Sequence, residues 1–249
     1  MFVFRLLLTV FFTQLVALHA LAQHDQQIDV LEYDISLGLT TDLKGLEGQT
    51  WVTLTAPGTR QDVNAPIPLK LDSVYDIKRT MVANTKGNTL KSVQMEREGQ
   101  YLVFKNVPLR STDTLRIMVH YAGVPNEPAR FGGVYFGDEG YIYNLGVRIG
   151  VSEPSDGHSW FPAHDVFTDK ATFKYRIHTP DGRMGVANGM LTDVVHHNTG
   201  KRNEINTYHR ELREPIPPYL ASFAIGDYVA VRDTVELLTV GGVVQPVPV

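Results

Sequence analysis

The densest potential chemistry lies in the middle of the chain. His158, His164 and Asp165 bring two imidazoles and a carboxylate into one short segment, and these are donor types that a divalent metal takes. Their spacing matches no standard ligand pattern. The intervening Trp160-Phe161-Pro162 reads more simply as a buried anchor with a polar rim. His196 and His197 are adjacent; on a strand they would point to opposite faces, so a solvated loop is the simpler reading. Asp138, Glu139 and Glu153 are carboxylates in a Gly-rich stretch. Two of them, suitably placed, would supply the acid and base of a hydrolase. Each is equally well explained as a solvated turn residue. The sequence contains no H-E-x-x-H, G-x-S-x-G or Walker loop, and no G-x-G-x-x-G after a strand. It has no Cys, which excludes disulfides, thiolate zinc sites, iron–sulfur ligation, a cysteine nucleophile and acylation as a lipoprotein. The residues alone form no self-sufficient catalytic constellation and assign no metal ligand.

The elements that would position these groups read as strands. Tyr33, Ile35, Leu37 and Leu39 alternate with polar or small residues. Leu115, Ile117, Val119 and Tyr121 repeat the pattern, as do Phe173, Tyr175 and Ile177. Trp51–Thr55, Ile67–Leu71 and Tyr101–Phe104 add short strand-like runs, and Ala221–Val231 reads as a strand pair broken at Gly226-Asp227. Turn formers separate them: Lys86-Gly87-Asn88, Pro180-Asp181-Gly182 and Asn198-Thr199-Gly200. Gly and Asn accept positive φ and Pro presets φ. Period-2 patterning without a sustained 3.6-residue stripe predicts an all-β, antiparallel domain. Gly123–Gly157 is rich in Gly and Tyr and reads as a long irregular loop, a common place for function. The formal net charge of −4 argues against nucleic acid as a partner. Hydrophobic residues at 43% argue against disorder.

The N-terminus carries a targeting signature. Arg5 precedes an apolar run, Leu6–Leu18, and Ala20-Leu21-Ala22 precedes Gln23. A single positive charge, a short apolar core and small residues at its exit describe a secretory signal peptide. The run is shorter than the ~20 residues of a membrane span. Residues 1–22 are therefore expected to be cleaved, leaving a periplasmic or secreted product with no stable membrane span. At the other end, residues 233–249 include Pro246 and Pro248 and read as a linker or the truncated start of a following domain.

Two stretches point to a family. Trp160-Phe-Pro-Ala-His-Asp165-Val-Phe-Thr-Asp-Lys170-Ala-Thr-Phe173 resembles the F-P-C-x-D-x-x-x-x-K-A-x-F segment of the zinc aminopeptidase N and leukotriene hydrolase family. Pro215-Ile-Pro-Pro-Tyr219-Leu-Ala-Ser-Phe223-Ala-Ile-Gly226-Asp227-Tyr228 is similar to that family's P-x-x-x-Y-L-x-A-F-x-x-G-D-[FY]. Asn188-Gly189 between them, and Tyr33–Leu39 followed by Leu46–Val52, also match. The resemblance covers most of residues 28–232. It implies a saddle-shaped, largely antiparallel β-sandwich, the domain that precedes a thermolysin-like zinc domain. That second domain carries G-x-M-E-N and H-E-x-x-H-x18-E in the family, and neither motif occurs here. The resemblance further implies that Glu153 sits at the last position of a T-Q-x-[EQ] segment and holds the substrate's free α-amine. Val151 replaces the segment's Gln, and Ala163 replaces the family Cys. Tyr143-Asn-Leu-Gly146 resembles a bacterial branch whose substrate loop diverges.

The expectation is an exported N-terminal substrate-recognition and docking domain, residues 23–232, of a zinc metallo-aminopeptidase-like protein. It would take a peptide N-terminus through Glu153 when joined to a catalytic domain. It would hold no cofactor of its own and be inactive alone, with zinc belonging to the missing domain. The alternative is a stand-alone β-sandwich binding or scaffold module. A weaker third reading is a carboxylate hydrolase built on Asp138, Glu139 and Glu153. Asp165 and Lys170 are expected to pair across their turn, and Trp160, Phe161 and Phe173 to pin the Gly-rich segment to the sheet from strands.

Overall fold

The computed structural model describes residues 28–57, 62–84, 86–90, 93–110, 113–126, 131–149, 154–202, 204–231, 234–238 and 244–248. Residues 1–22, read as a signal peptide, and Glu153 lie outside the described residues. In chain order the strands are β1 (Asp29–Leu39), β2 (Leu46–Thr55), β3 (Ile67–Lys70), β4 (Asp76–Asn84), β5 (Gln94–Glu98), β6 (Tyr101–Lys105), β7 (Thr114–Gly123) and β8 (Gly133–Phe136). They continue with β9 (Ile142–Leu145), β10 (Ala171–Pro180), β11 (Met184–Ala187), β12 (Met190–His197), β13 (Ile205–Ile216), β14 (Phe223–Gly226), β15 (Thr234–Leu238) and β16 (Val244–Pro248).

Alternation dictates the layers. Successive strand residues point to opposite faces, and on β1, β7 and β10 the apolar set is fully or almost fully buried: Tyr33, Ile35 and Leu37; Leu115, Ile117 and Val119; Phe173, Tyr175 and Ile177. These strands belong to a seven-stranded sheet ordered β12-β13-β10-β1-β2-β7-β4. Its buried face shares one apolar core with Leu69, Leu102 and Phe104 of a three-stranded sheet, β3-β6-β5. Val134, Ile142, Phe223 and Ile225 of a four-stranded sheet, β11-β14-β9-β8, enter the same core. Both small sheets thus cover the same side of the large one, giving the expected all-β sandwich. No helix among the described residues is long and apolar enough to cross a membrane.

The large sheet departs from antiparallel order at its centre. β1 runs parallel to β10, with Tyr33 opposite Phe173 and Leu37 opposite Ile177. A parallel pair needs a crossover connection, and here that crossover contains the whole three-stranded sheet and the β8–β9 hairpin. Period-2 patterning is blind to strand direction. Two further expectations are corrected. Gly123–Gly157 is not one irregular loop, because β8 and β9 pair within it. Of Ala221–Val231 only Phe223–Gly226 forms a strand; a Cβ on Gly226 would lie 2.4 Å from Tyr141, so the ring needs the glycine there. The proline-bearing tail pairs as the β15–β16 hairpin.

Candidate functional site

The site is built at the neck of a loop. Strand β9 ends at Leu145, and the chain returns at Pro154. The Asp156 N–H donates to the Gly146 carbonyl at 2.8 Å, and the Arg148 N–H to the Pro154 carbonyl at 2.7 Å. Val147 and Ser155 bridge between them. These contacts fix both ends of the segment that carries Glu153. Asp138 and Glu139 occupy the turn at the other end of the β8–β9 hairpin, a strand length of roughly 13 Å away. Glu153, the third carboxylate of the hydrolase reading, lies outside the described residues.

Buried polar groups secure the neck. Asp165 accepts hydrogen bonds from the Ser155 hydroxyl, from the His158 backbone N–H at 3.2 Å and from His158 Nδ1 at 2.6 Å. Burial alone would raise its pKa, yet the bonds from His158 and Ser155 hold it below the usual carboxylate range. Asp156, fully buried, meets Arg148 at 2.6 Å. Burial pushes its carboxyl up, against the pull of Arg148. Asp156 Oδ2 has no hydrogen-bond partner among the described residues. The expected Asp165–Lys170 pair does not form, because Asp165 is turned inward to Ser155 and His158 while Lys170 is exposed.

Of the three residues weighed for a metal, His158 and Asp165 meet. His164 instead uses its backbone N–H to bond the Tyr33 hydroxyl at 3.0 Å. Among the described residues no three His, Asp or Glu side chains gather as a metal would need. The donor set therefore does not fit zinc. His196 lies on β12 rather than in a loop, and its Nδ1 is 2.6 Å from Asn206 Oδ1.

The motif residues hold the neck against the rest of the fold. Asn144 accepts from the Phe223 N–H at 2.8 Å and donates to the Ala221 carbonyl at 3.2 Å. Asn188 accepts from the Ser222 N–H at 2.6 Å. A Cβ on Gly146 would sit 1.9 Å from the Tyr219 carbonyl oxygen, so the two segments touch backbone to backbone. Trp160 packs on Phe223 at 4.9 Å, and Phe161 packs edge-on to Tyr33 at 5.3 Å. Trp160 and Phe161 do their pinning from the irregular segment after the Gly157–Ser159 turn, not from a strand; Phe173 alone is on β10. Sequence reasoning missed Arg148, Ser155 and Asp156. Their partners are set by the neck, which no local pattern announces.

No family model and no curated protein matches this chain. Solved structures do. An M1 zinc metallopeptidase from Deinococcus radiodurans, a mutant bound to a Tyr-Ser-Ala substrate, superposes with a TM-score of 0.68 at 23% identity, covering 90% of this chain and 47% of that one. The enzyme without the mutation gives 0.68 at 24%, with coverage of 90% and 46%. Aminopeptidase A of Legionella pneumophila, with aspartic acid, gives 0.66 at 19% identity, covering 89% of this chain and 24% of that one. This chain thus has the fold of part of an M1 zinc metallopeptidase. It spans about half the length of the Deinococcus enzyme.

Proposed function

We propose that this chain is the N-terminal substrate-recognition and docking domain of an exported zinc metallo-aminopeptidase-like protein. The observation that carries the reading is the fold likeness: nine-tenths of this chain, but only half of a peptidase that holds Tyr-Ser-Ala. The missing half would bring zinc and the bond-breaking groups. Phe131, Val147 and Ile149 are exposed beside the neck and Phe136 at the far end of β8, apolar side chains available for docking that half. Residues 1–22 would direct export.

Glu153 would receive the substrate's α-ammonium. A carboxylate pairs with an ammonium through a charge-assisted hydrogen bond. The test is Glu153→Gln in the product of the natural gene, assayed on an alanyl tripeptide. Removing such a bond costs ~1.5–3 kcal/mol, so kcat/KM is expected to fall about 10- to 100-fold, mostly through KM. Unchanged kcat/KM would remove Glu153 from substrate binding.

A further inference from the structure

The outer face of the large sheet, opposite the core, carries a two-lobed groove. Its floor is Gly38. On β1 the outward positions are Ser36 and Gly38, the neighbours in register are Gln49 and Glu47 on β2, and His120 follows on β7. His178 stands on the other side, on β10. With no side chain at position 38, the sheet surface dips. A cavity of about 280 Å³ opens towards Glu47, Gln49 and His120. A second, of about 380 Å³, opens towards Leu39, Leu43, Pro180 and Ile205. Gly38, Leu39 and His178 border both. Their size is that of small-ligand sites.

The two lobes differ in chemistry. The first holds a carboxylate, an amide and a hydroxyl. His120 Nε2 lies 2.9 Å from Glu47 Oε1, and one such contact leaves most of a carboxylate's acceptor capacity unused. His178 is fixed between Ser36 Oγ at 2.8 Å and Thr207 Oγ1 at 2.9 Å. Burial, then the neighbouring Arg176, holds it below the usual histidine pKa, so this wall is neutral at pH 7. The second lobe presents apolar side chains with Leu43 and Ile205 about two-fifths exposed, rimmed by Asp181, Glu204 and Arg202. Three carboxylates against one guanidinium disfavour an anion. A wholly apolar occupant would strip water from Glu47 and give nothing back.

We propose that the Gly38 groove binds a small amphipathic ammonium, with its charge at Glu47 and its apolar body on Leu39, Leu43 and Ile205. Phenethylammonium is the probe. Amide NMR shifts of the full chain are followed at pH 7.5, with 2-phenylethanol and phenylacetate as controls. The amine is expected to give saturable shifts at Gly38, Leu39, Glu47 and His178, with a Kd on the order of millimolar. The two controls are expected to bind at least about tenfold more weakly, the ratio of one charge-assisted hydrogen bond. Glu47→Gln should lower amine affinity about tenfold or more and erase its preference over the alcohol. Gly38→Leu should abolish saturable binding. Equal binding of the three probes, shifts confined elsewhere, or undiminished amine binding in Glu47→Gln would overturn the proposal. A Cβ at position 38 lies 3.2 Å from His178 Cβ; should that variant fail to fold, the Glu47→Gln arm decides.

Discussion

The clasp around Asp165 and the groove around Gly38 draw on the same small vocabulary of His, Ser, Gly and carboxylate, and use it in opposite ways. In the clasp, Asp165 and Asp156 are buried, and Asp165 is saturated by Ser155 and His158. Its glycines are there because backbone comes close: Gly146 abuts Tyr219, and a Cβ on Gly157 would lie 2.8 Å from Pro218. In the groove, Glu47 is half exposed with acceptor capacity to spare, and Gly38 borders both open cavities. Burial and saturation mark polar groups that hold architecture. Exposure and unused capacity mark groups available to a ligand. The His158–Asp165 pair, whose residue types in sequence are those a metal takes, belongs to the first kind.

Breaking each region should show the contrast. The largest effect is expected from Asp165→Asn, which removes one partner of a buried charged network and should cost about 3–5 kcal/mol in urea unfolding. Glu47→Gln should change stability by less than about 0.5 kcal/mol. The sign with pH follows from the depressed carboxyl of Asp165. Its contribution is present above the unfolded pKa of ~3.9 and is lost as pH falls through the lower folded value. Comparable costs for the two variants would erase the distinction.

Glycine substitutions sharpen it. Gly146→Ala must part the neck from the Pro218–Leu220 turn, at about 2–3 kcal/mol. Gly38→Ala brings a Cβ to 3.2 Å from His178 Cβ, a contact that a small shift relieves, and should change stability by less than about 1 kcal/mol. Thermal melts of both variants check the difference.

A smaller effect is expected at Asp169, beside the start of β1. Burial raises its carboxyl to about 7, although the Val30 N–H bonds it at 3.3 Å. A raised acid binds a proton more readily folded than unfolded, so stability should fall as pH rises from ~3.9 towards 7. Asp169→Asn should flatten that slope and add about 1 kcal/mol at pH 8, allowing for solvent screening of a partly exposed group. Parallel pH–stability curves for variant and parent would contradict it.

Much of the sandwich was legible because β1, β7 and β10 alternate cleanly over seven or more residues. β8 and β9 were hidden because each is four residues long and set among glycines. The parallel β1–β10 pair was hidden because direction leaves no mark on period. The motif segments from Trp160 and Pro215 were recognisable, but their meeting at Gly146 and Phe223 is a three-dimensional fact. So is the groove: Ser36, Gly38, Glu47, His120 and His178 share a face only once four strands are in register. Arg148 carried no signal in the sequence; it is the neck that brings it to Asp156.

The central proposal is that this chain is one half of a zinc peptidase. The most direct test is the intact mass and zinc content of the product made from the natural gene. The account predicts a product about twice the mass of this chain less its first 22 residues, given the 47% coverage of the Deinococcus enzyme, with about one zinc per molecule. A mature product no larger than the 27.8 kDa of this chain, without zinc and with no zinc-binding partner co-purifying, would contradict it and leave a stand-alone β module.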